Sequence, residues 1–179
     1  MMRAVTPAAV LEFWFKQDRK AWFEKNPAFD EDLRARFLPL HEKAVTGQLE
    51  SWKNEPKSCL ALVILLDQVP RNTFRGAARA FASDALALCA ARAIVDRGWD
   101  KAMTADEQMF AYLPFEHSES LVDQEHSLQL FEGNENYEWA RRHWEIVRRF
   151  GRFPHRNAAL GRMSTPEEIE FLKQPGSGF

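Results

Sequence analysis

The sequence has 179 residues, of which 45% are hydrophobic and 28% are charged, and its formal net charge at pH 7 is −2. This length and composition predict one soluble globular domain with a substantial core, and the net charge favours neither an acidic nor a basic partner. Cys59 and Cys89 lie in apolar helical patterns, which indicates buried free thiols and argues against a disulfide framework or a cysteine metal site.

The localisation predicted from the sequence is cytoplasmic. The longest apolar run, residues 59–66, is well short of the roughly 20 residues that a membrane-spanning helix needs. Residues 1–5 lack the basic start and apolar core of a signal peptide. Because no glycine-rich phosphate loop or dinucleotide fingerprint is present, no cofactor is predicted.

Helix signals follow one another through the first half of the chain. Thr6 with Pro7 is a typical N-cap and first-turn pair, and Asp30 and Ser58 are further candidate N-caps. The predicted helices are Pro7 to about Phe15, a short one at Trp22 and Phe23 closed by Pro27, one from Asp30 to Gly47 kinked or split at Pro39, a turn from Leu49 to Trp52, and an apolar helix from Ser58 to Pro70.

The second half continues in the same way, with capping boxes at Thr104–Glu107 and Thr165–Glu168. The predicted helices are Ala78 to Arg97, one that starts at Thr104 and ends at Pro114, Glu119 to Phe131, Glu135 to Phe150 stopped by Gly151, and a short one after Thr165.

No stretch alternates apolar and polar residues between hairpin turns, so the predicted fold is all-α. Helices of this length with short loops favour antiparallel hairpins, roughly eight or nine helices in all. We expect a single helical domain over residues 1–174, and the glycine-rich residues 175–179 to be disordered.

The end of the central helix, residues 67–76, is unusually polar. Asp67 near a helix C-terminus opposes the helix dipole and needs a compensating cation, which Arg71 or Arg75 could supply. One interpretation is a buried network that fixes the exit of the helix. The other is that Arg71, Asn72 and Arg75 donate to a ligand, with Asp67 and Gln68 orienting them.

A second polar stretch, residues 151–162, resembles the first: a proline, an Arg-Asn pair and an Arg beside a Gly. Its candidate ligand-binding residues are Arg156, Asn157 and Arg162, and His155 is a candidate for proton transfer. We expect this stretch to form the wall of a cleft opposite residues 67–76.

Helical spacing predicts which polar groups lie between these two walls. Leu121, Gln124, Glu125 and Leu128 share a core-facing stripe, His117 continues that line, and His143 points inward from the next helix. A core histidine is more often structural than functional. The remaining candidate roles are proton transfer by His117 and Glu125 and orientation of ligand groups by Glu119 and Gln124.

Charge is distributed unevenly along the chain. Residues 104–138 contain nine acidic side chains and no Lys or Arg, whereas residues 141–162 contain seven Arg and one acid, Glu145. Either the two segments neutralise each other, or some arginines remain for an anionic ligand, a carboxylate or a phosphate.

Four stretches together resemble a known family. They are residues 65–76, residues 112–119, Gln124-Glu125 and residues 150–162, and residues 11–15 fit as well. Nearly the whole chain is similar to a bacterial family catalogued as a domain of unknown function, number 924 in that series. The resemblance implies a single all-helical domain similar to tetratricopeptide repeats, and it implies no activity. Val69, Thr73 and Glu116 depart from the residues expected at their positions.

Other chemistries are less well supported by the residues. Ser118 beside His117 has no nucleophile-elbow motif around it. His117, Glu119, His143 and His155 lack metal-ligand spacing, so no metal is predicted. Nucleic-acid binding by the Arg- and Trp-rich residues 139–162 is disfavoured by the nearly neutral total charge, and no membrane contact is expected.

Two hypotheses about function follow. The first is a polar cleft lined by Arg, His and Asn that binds a small anionic molecule or a peptide carboxylate, with or without catalysis. The second is a tetratricopeptide-like scaffold for a protein partner, in which the same residues only support the fold.

Overall fold

Helices make up the regular structure of this protein. The computed structural model describes residues 5–179, in which no strand occurs, so the all-α prediction is confirmed. Residues 1–4, part of the segment compared with a signal peptide, lie outside the described chain. Two compact units form the described part: residues 5–75 with 79–114, and residues 76–78 with 115–179.

The first unit contains most of the helices. Its 3₁₀ turns are Glu50–Asn54, Ala78–Ala80 (which extends from the second unit) and Trp99–Ala102. Its α-helices are α1 (Pro7–Phe15), α2 (Arg19–Phe23), α3 (Pro27–Val45), α4 (Pro56–Val63), α5 (Val69–Thr73), α6 (Asp84–Asp96) and α7 (Ala105–Glu116), the last of which ends in the second unit.

The second unit is built on a pair of packed helices, α8 (Leu121–Leu130) and α9 (Tyr137–Phe150). A 3₁₀ turn, Pro154–Arg156, leads into the short helices α10 (Asn157–Leu160) and α11 (Pro166–Leu172). The predicted tetratricopeptide-like repetition of hairpins stays a prediction, as does the single domain over residues 1–174.

Local capping explains the start of α1, and two predicted caps are wrong. Thr6 caps α1 as predicted, since its Oγ1 accepts from Ala9 N at 3.3 Å. The prediction that Asp30 caps α3 is wrong, because α3 begins one turn earlier. Asn26 is the cap: its Oδ1 accepts from Ala28 N at 3.1 Å and from Phe29 N at 3.2 Å. Ser58 does not cap the central helix, because α4 begins at Pro56 after Glu55 and Ser58 lies inside it, where its Oγ donates to Trp52 O.

Prolines end fewer helices than the sequence suggested. Pro39 lies inside α3, which is one uninterrupted helix, and Pro114 lies inside α7. The central helix does not end at Pro70 but continues to Thr73. The predicted split at Pro39 and the predicted helix ends at Pro70 and Pro114 are wrong, because a proline removes one backbone donor, a loss that surrounding structure can compensate; the alternative of a kink at Pro39 stays a prediction.

The central helix compensates for Pro70 by changing its winding. Helices α4 and α5 are joined by a π turn, Ile64–Gln68, in which Val69 N donates to Ile64 O, five residues earlier. Because Pro70 has no N–H, it can donate neither to Leu65 O nor to Leu66 O. Both carbonyls have hydrogen-bond partners from outside the helix.

Two buried side chains provide those partners. His41 Nδ1 lies 2.8 Å from Leu65 O, and Ser83 Oγ donates to Leu66 O at 2.6 Å. Burial lowers the pKa of His41, so the neutral ring, with its proton on Nδ1, is the form that fits this contact. Helix α3 and the residue before α6 thus complete the hydrogen bonding of the central helix.

Apolar packing surrounds this helix, since every residue from Cys59 to Gln68 is buried. Aromatic side chains pack elsewhere in the same unit: the Phe110 ring lies 5.3 Å from Trp14 and 5.0 Å from Trp22, both edge-on. In the described part of the chain, no helix has both the length and the apolar character needed to cross a bilayer.

Two predictions of burial are wrong. Cys59 is buried but Cys89 is exposed on α6. On α8, Glu125 faces solvent and Leu121 is exposed, while Gln124 and Ser127 are buried. The buried face of α8 is centred on Gln124 and Ser127, so the apolar residue Leu121 gave a misleading register.

Removing the Ser83 hydroxyl tests the compensation at Pro70. Ser83→Ala leaves Leu66 O without a donor in a buried position, and we expect a loss of about 1–3 kcal/mol in the free energy of unfolding, measured with urea. Ser120→Ala is the matched control, because Ser120 is exposed and its side chain makes no capping hydrogen bond. Equal stability of both variants would contradict the proposed role of Ser83.

Candidate functional site

Arg71 is held by two carboxylates of its own unit. Its Nη1 and Nη2 donate to Asp84 Oδ1 and Oδ2 at 2.7 and 2.9 Å, and Nη1 also lies 3.2 Å from Asp67 Oδ1. Asp67 is 1% exposed and accepts a further hydrogen bond from Gln68 Nε2 at 2.6 Å. Burial opposes the charge of Arg71, but the two carboxylates raise its pKa above the ordinary value.

Asp30 binds Asn72 and Arg75, the other two candidate ligand-binding residues in residues 67–76, which we call the first motif. Arg75 donates from Nε and Nη2 to its two carboxylate oxygens at 2.7 and 2.9 Å, and Asn72 Nδ2 donates to Oδ1 at 2.9 Å. Asp30 belongs to α3, and Asp84 begins α6. The first motif therefore ties α5 to both neighbouring helices through charge-assisted hydrogen bonds.

Residues 151–162, the second motif, are also held by a carboxylate, that of Glu119 in the second unit. Arg162 Nη1 and Nη2 donate to Glu119 Oε2 and Oε1 at 2.7 and 2.9 Å, while its Nε donates to Asn157 Oδ1 at 2.9 Å. Glu119 Oε1 also accepts from Phe153 N at 2.7 Å. Burial raises the pKa of Glu119, but these donors more than offset it and hold that pKa below the ordinary value.

Glu168 joins several parts of this motif. It is buried and accepts from Arg152 Nε and Nη2 at 2.7 and 2.8 Å, from Thr165 N at 2.8 Å and from Asn157 Nδ2 at 3.2 Å. The Thr165 bond is half of the capping box of α11, which is confirmed. The hydrogen bonds from Arg152 are the largest cause that lowers the pKa of Glu168, to about 2.

His143 is buried beside a carboxylate that the sequence did not single out. Its Nδ1 lies 3.0 Å from Glu116 Oε1 and 2.8 Å from Trp139 O. Both side chains are almost fully buried, at 6% exposed for His143 and 4% for Glu116. A proton on Nδ1 serves both acceptors, so the plane of the imidazole is held from one edge.

The other predicted groups are distributed around this pair. Arg156 Nη2 donates to His117 O at 2.9 Å, and the His117 and His143 ring centroids are 6.2 Å apart. Gln124 Nε2 donates to Glu116 O and to the Ser118 carbonyl at 2.6 and 2.7 Å. Within residues 5–179, no group of three or more His, Cys, Asp or Glu side chains is placed to hold a metal ion.

One face of His143 is covered by Phe179. The two rings are stacked, with centroids 3.6 Å apart and planes 20° apart, and the His155 ring lies 5.9 Å from Phe179 at 76°. The Arg142 guanidinium carbon is 5.9 Å from the Phe179 centroid and 4.9 Å from that of Trp139. We call the space between His143, His155 and Arg142 the histidine slot.

Arg142 differs from most neighbouring arginines in its partners. Arg141, Arg149, Arg152 and Arg162 each pair with a carboxylate of the second unit. Among the described residues, Arg142 has no ion pair at salt-bridge distance: its charge only helps to lower the pKa of the exposed Glu138 on the same helix, and its Nη2 lies 3.4 Å from Gly176 O. Internal neutralisation thus accounts for much of the arginine excess in residues 141–162 and leaves Arg142 at the histidine slot.

The two predicted walls lie in different units, Arg71, Asn72 and Arg75 in the first and Arg156, Asn157 and Arg162 in the second. Glu125 is exposed.

Sequence reasoning missed the carboxylates that bind the first wall, because Asp84 and Asp30 lie 13 and 45 residues from Arg71 and Arg75. It also did not identify three residues in or beside the histidine slot as part of a site: Glu116, Arg142 and Phe179. For Phe179, the only available signal was an aromatic residue within a glycine-rich segment.

Comparisons with known proteins give the relatives of this chain. The sequence profile of a family described as bacterial protein of unknown function (DUF924) matches residues 10–176. A protein of unknown function from Agrobacterium tumefaciens has a solved structure that is similar, with a TM-score of 0.90 and 41% identity, covering 93% of this chain and 96% of that one. No curated protein matches.

The pairing of Arg71 can be tested through stability. Arg71→Ala leaves Asp67 buried without its cation, and we expect the free energy of unfolding to fall by about 3–5 kcal/mol in urea. The control is Arg36→Ala, which breaks an exposed pair with Asp32 and should cost at most about 1 kcal/mol. An Arg71→Ala variant as stable as the control would contradict a structural role for Arg71.

Acid unfolding tests how much the charged Glu168 carboxylate stabilises the fold. Its pKa is about 2 in the folded chain against an ordinary value of 4.5. The stabilisation by its charge is therefore complete above pH 4.5 and is lost as the pH falls through 2. We expect Glu168→Gln to have a lower free energy of unfolding than wild type at pH 7. As the pH falls from 4.5 to 2, this free energy should decrease less in the variant than in wild type. The exposed Glu170→Gln should behave as wild type, and identical acid profiles for all three proteins would contradict this.

Proposed function

Since the chain belongs to a bacterial family of proteins of unknown function, we propose a function from the geometry alone: it binds a peptide or protein partner through the second unit, and the arginine motifs support the fold. The observation that carries this proposal is the exposed aromatic and arginine patch formed by Trp139, Arg142 and Phe179. Trp139 is 49% exposed and Phe179 is 47% exposed, with the Arg142 guanidinium over both rings.

The composition of this patch supports binding to another chain. Tryptophan and arginine are enriched among the residues that dominate the energy of protein interfaces. Among the described residues Arg142 forms no close ion pair, only a longer-range interaction with the exposed Glu138, so a partner's carboxylate or carbonyl group can bind it without breaking an internal ion pair. Its guanidinium is also already positioned by Trp139, which reduces the entropy lost on binding.

The pairing of the arginine motifs makes them less suited to a free anion. Arg71, Arg75 and Arg162 each already form two hydrogen bonds with one carboxylate of the protein. A small anion would have to displace Asp84, Asp30 or Glu119, leaving a partly buried carboxylate without its cation, which is costly. This supports the interaction hypothesis over the anion cleft.

A phage-displayed random peptide library, panned against the full chain, tests the proposal. We expect peptides that bind wild type and lose about tenfold in affinity, or 1.4 kcal/mol, for Arg142→Ala. Arg148→Ala is the matched control, because its guanidinium lies 4.9 Å from the Trp144 centroid, away from Phe179. Binding by Arg148→Ala should equal that of wild type.

Two outcomes would overturn the proposal. One is that panning yields no peptide whose binding depends on Arg142, either because none is enriched or because the enriched peptides bind Arg142→Ala as tightly as wild type. The other is a rise in melting temperature with phosphate or succinate that Arg142→Ala leaves unchanged, since stabilisation by mass action would then indicate an anion site elsewhere and contradict the purely structural role proposed for the paired arginines.

A further inference from the structure

Residues 174–179 are positioned against the second unit by several contacts. Ser177 Oγ donates to Leu172 O at 3.1 Å, and Arg142 Nη2 reaches Gly176 O at 3.4 Å. The segment then brings Phe179 onto His143, where the ring is stacked on one face and 47% exposed. Phe179 therefore covers the imidazole without being enclosed, and the disorder predicted for residues 175–179 stays a prediction.

Glycine is favoured at one point of this path. Gly176 has a φ of +73°, in the left-handed region that favours glycine, and a Cβ added there would overlap Nη2 at the end of the flexible Arg142 side chain. A Cβ added at Gly178 would lie 3.4 Å from His155 Cβ, at the close limit of ordinary van der Waals contact. The surface beside the histidine slot therefore accepts a backbone with small residues before the aromatic one.

The face of His143 is a prepared stacking surface. Glu116 Oε1 and Trp139 O hold one edge of the imidazole through Nδ1. The Phe153 ring packs edge-on, with its centroid 5.6 Å away at 80°. Because the ring is already fixed, an aromatic group that stacks on it loses little free energy to ordering the receptor.

We propose that the histidine slot recognises an aromatic side chain preceded by small residues, a Gly-x-Gly-aromatic peptide segment. Phe179 belongs to the exposed patch in the unbound chain, where it occupies this slot as an internal ligand; a partner's segment of the same chemistry displaces it and takes its place beside Arg142 and His143. The proposal rests on the proposed function and names the chemistry of its partner. A peptide is the ligand that fits, because the chain's own residues 176–179 occupy the slot in this way.

An internal ligand weakens the binding of an external one. Because Phe179 is joined to the second unit by a short segment, its effective concentration at the slot is in the millimolar range. It therefore competes with an external peptide for the same site. Removing the Phe179 ring should uncover the slot and leave its walls unchanged. The apparent affinity for an external aromatic peptide should then rise.

The test uses the full chain and an end-blocked peptide with the sequence of residues 174–179. We expect Phe179→Ala to bind this peptide about tenfold more tightly than wild type does, because the internal competitor is gone. The same peptide with Ala in place of Phe should not bind either protein. Met163→Ala, at a side chain that is 90% exposed, is the matched control and should bind as wild type.

A second measurement separates recognition from a merely structural role. Imidazole NMR signals of His143 should shift in Phe179→Ala, since the stacked ring is lost, and should return towards wild type when the peptide is added. The Ala-substituted peptide should leave the signals of the variant unchanged. Unaltered His143 signals in Phe179→Ala would overturn the proposal.

Further outcomes distinguish this proposal from the proposed function. If Phe179→Ala gains no affinity while library peptides still bind through Arg142, the slot is rejected and the proposed function stands. Binding only by a peptide with a free carboxylate would also overturn the slot, since the anion and not the ring would then be recognised. Failure of both the library and the defined peptide would overturn both.

Discussion

Buried carboxylates are the constraint on which much of this structure depends. A carboxylate removed from water must receive hydrogen bonds or a cation, or it is strongly destabilising. Asp67, Glu116 and Glu168 are all nearly inaccessible, and Arg71, His143 and Arg152 lie against them. Arginines that look available for a ligand in the sequence, such as Arg71 and Arg162, are therefore paired with carboxylates of their own unit.

This constraint also indicates where a partner can bind. Among the described residues Arg142 forms no close ion pair, and it lies beside two half-exposed aromatic rings, Trp139 and Phe179. An arginine that is not part of a close ion pair can bind a carboxylate of another chain without leaving a buried carboxylate of its own fold unpaired. The histidine slot beneath Phe179 adds a rigid aromatic surface, so charge and stacking occur at one place.

Local signals predicted the helices better than they predicted the site. Thr6, Thr104 and Thr165 mark helix starts because a capping hydrogen bond spans only a few residues. Helix ends were less predictable, since Pro70 is tolerated only because distant side chains serve the carbonyls it leaves. The partners of Arg71 and Arg75 were not visible either: Asp84 and Asp30 become neighbours only through tertiary packing.

The π turn before Pro70 has a consequence for how the chain folds. Leu65 O and Leu66 O receive their hydrogen bonds from His41 and Ser83, 24 and 17 residues away in the sequence. The central helix therefore cannot complete its own backbone bonding as an isolated segment, and its formation is coupled to the arrival of α3 and the start of α6. Contacts of that separation slow folding and make the unit cooperative. Amide protons along residues 64–69 should accordingly exchange with solvent only when the whole first unit opens.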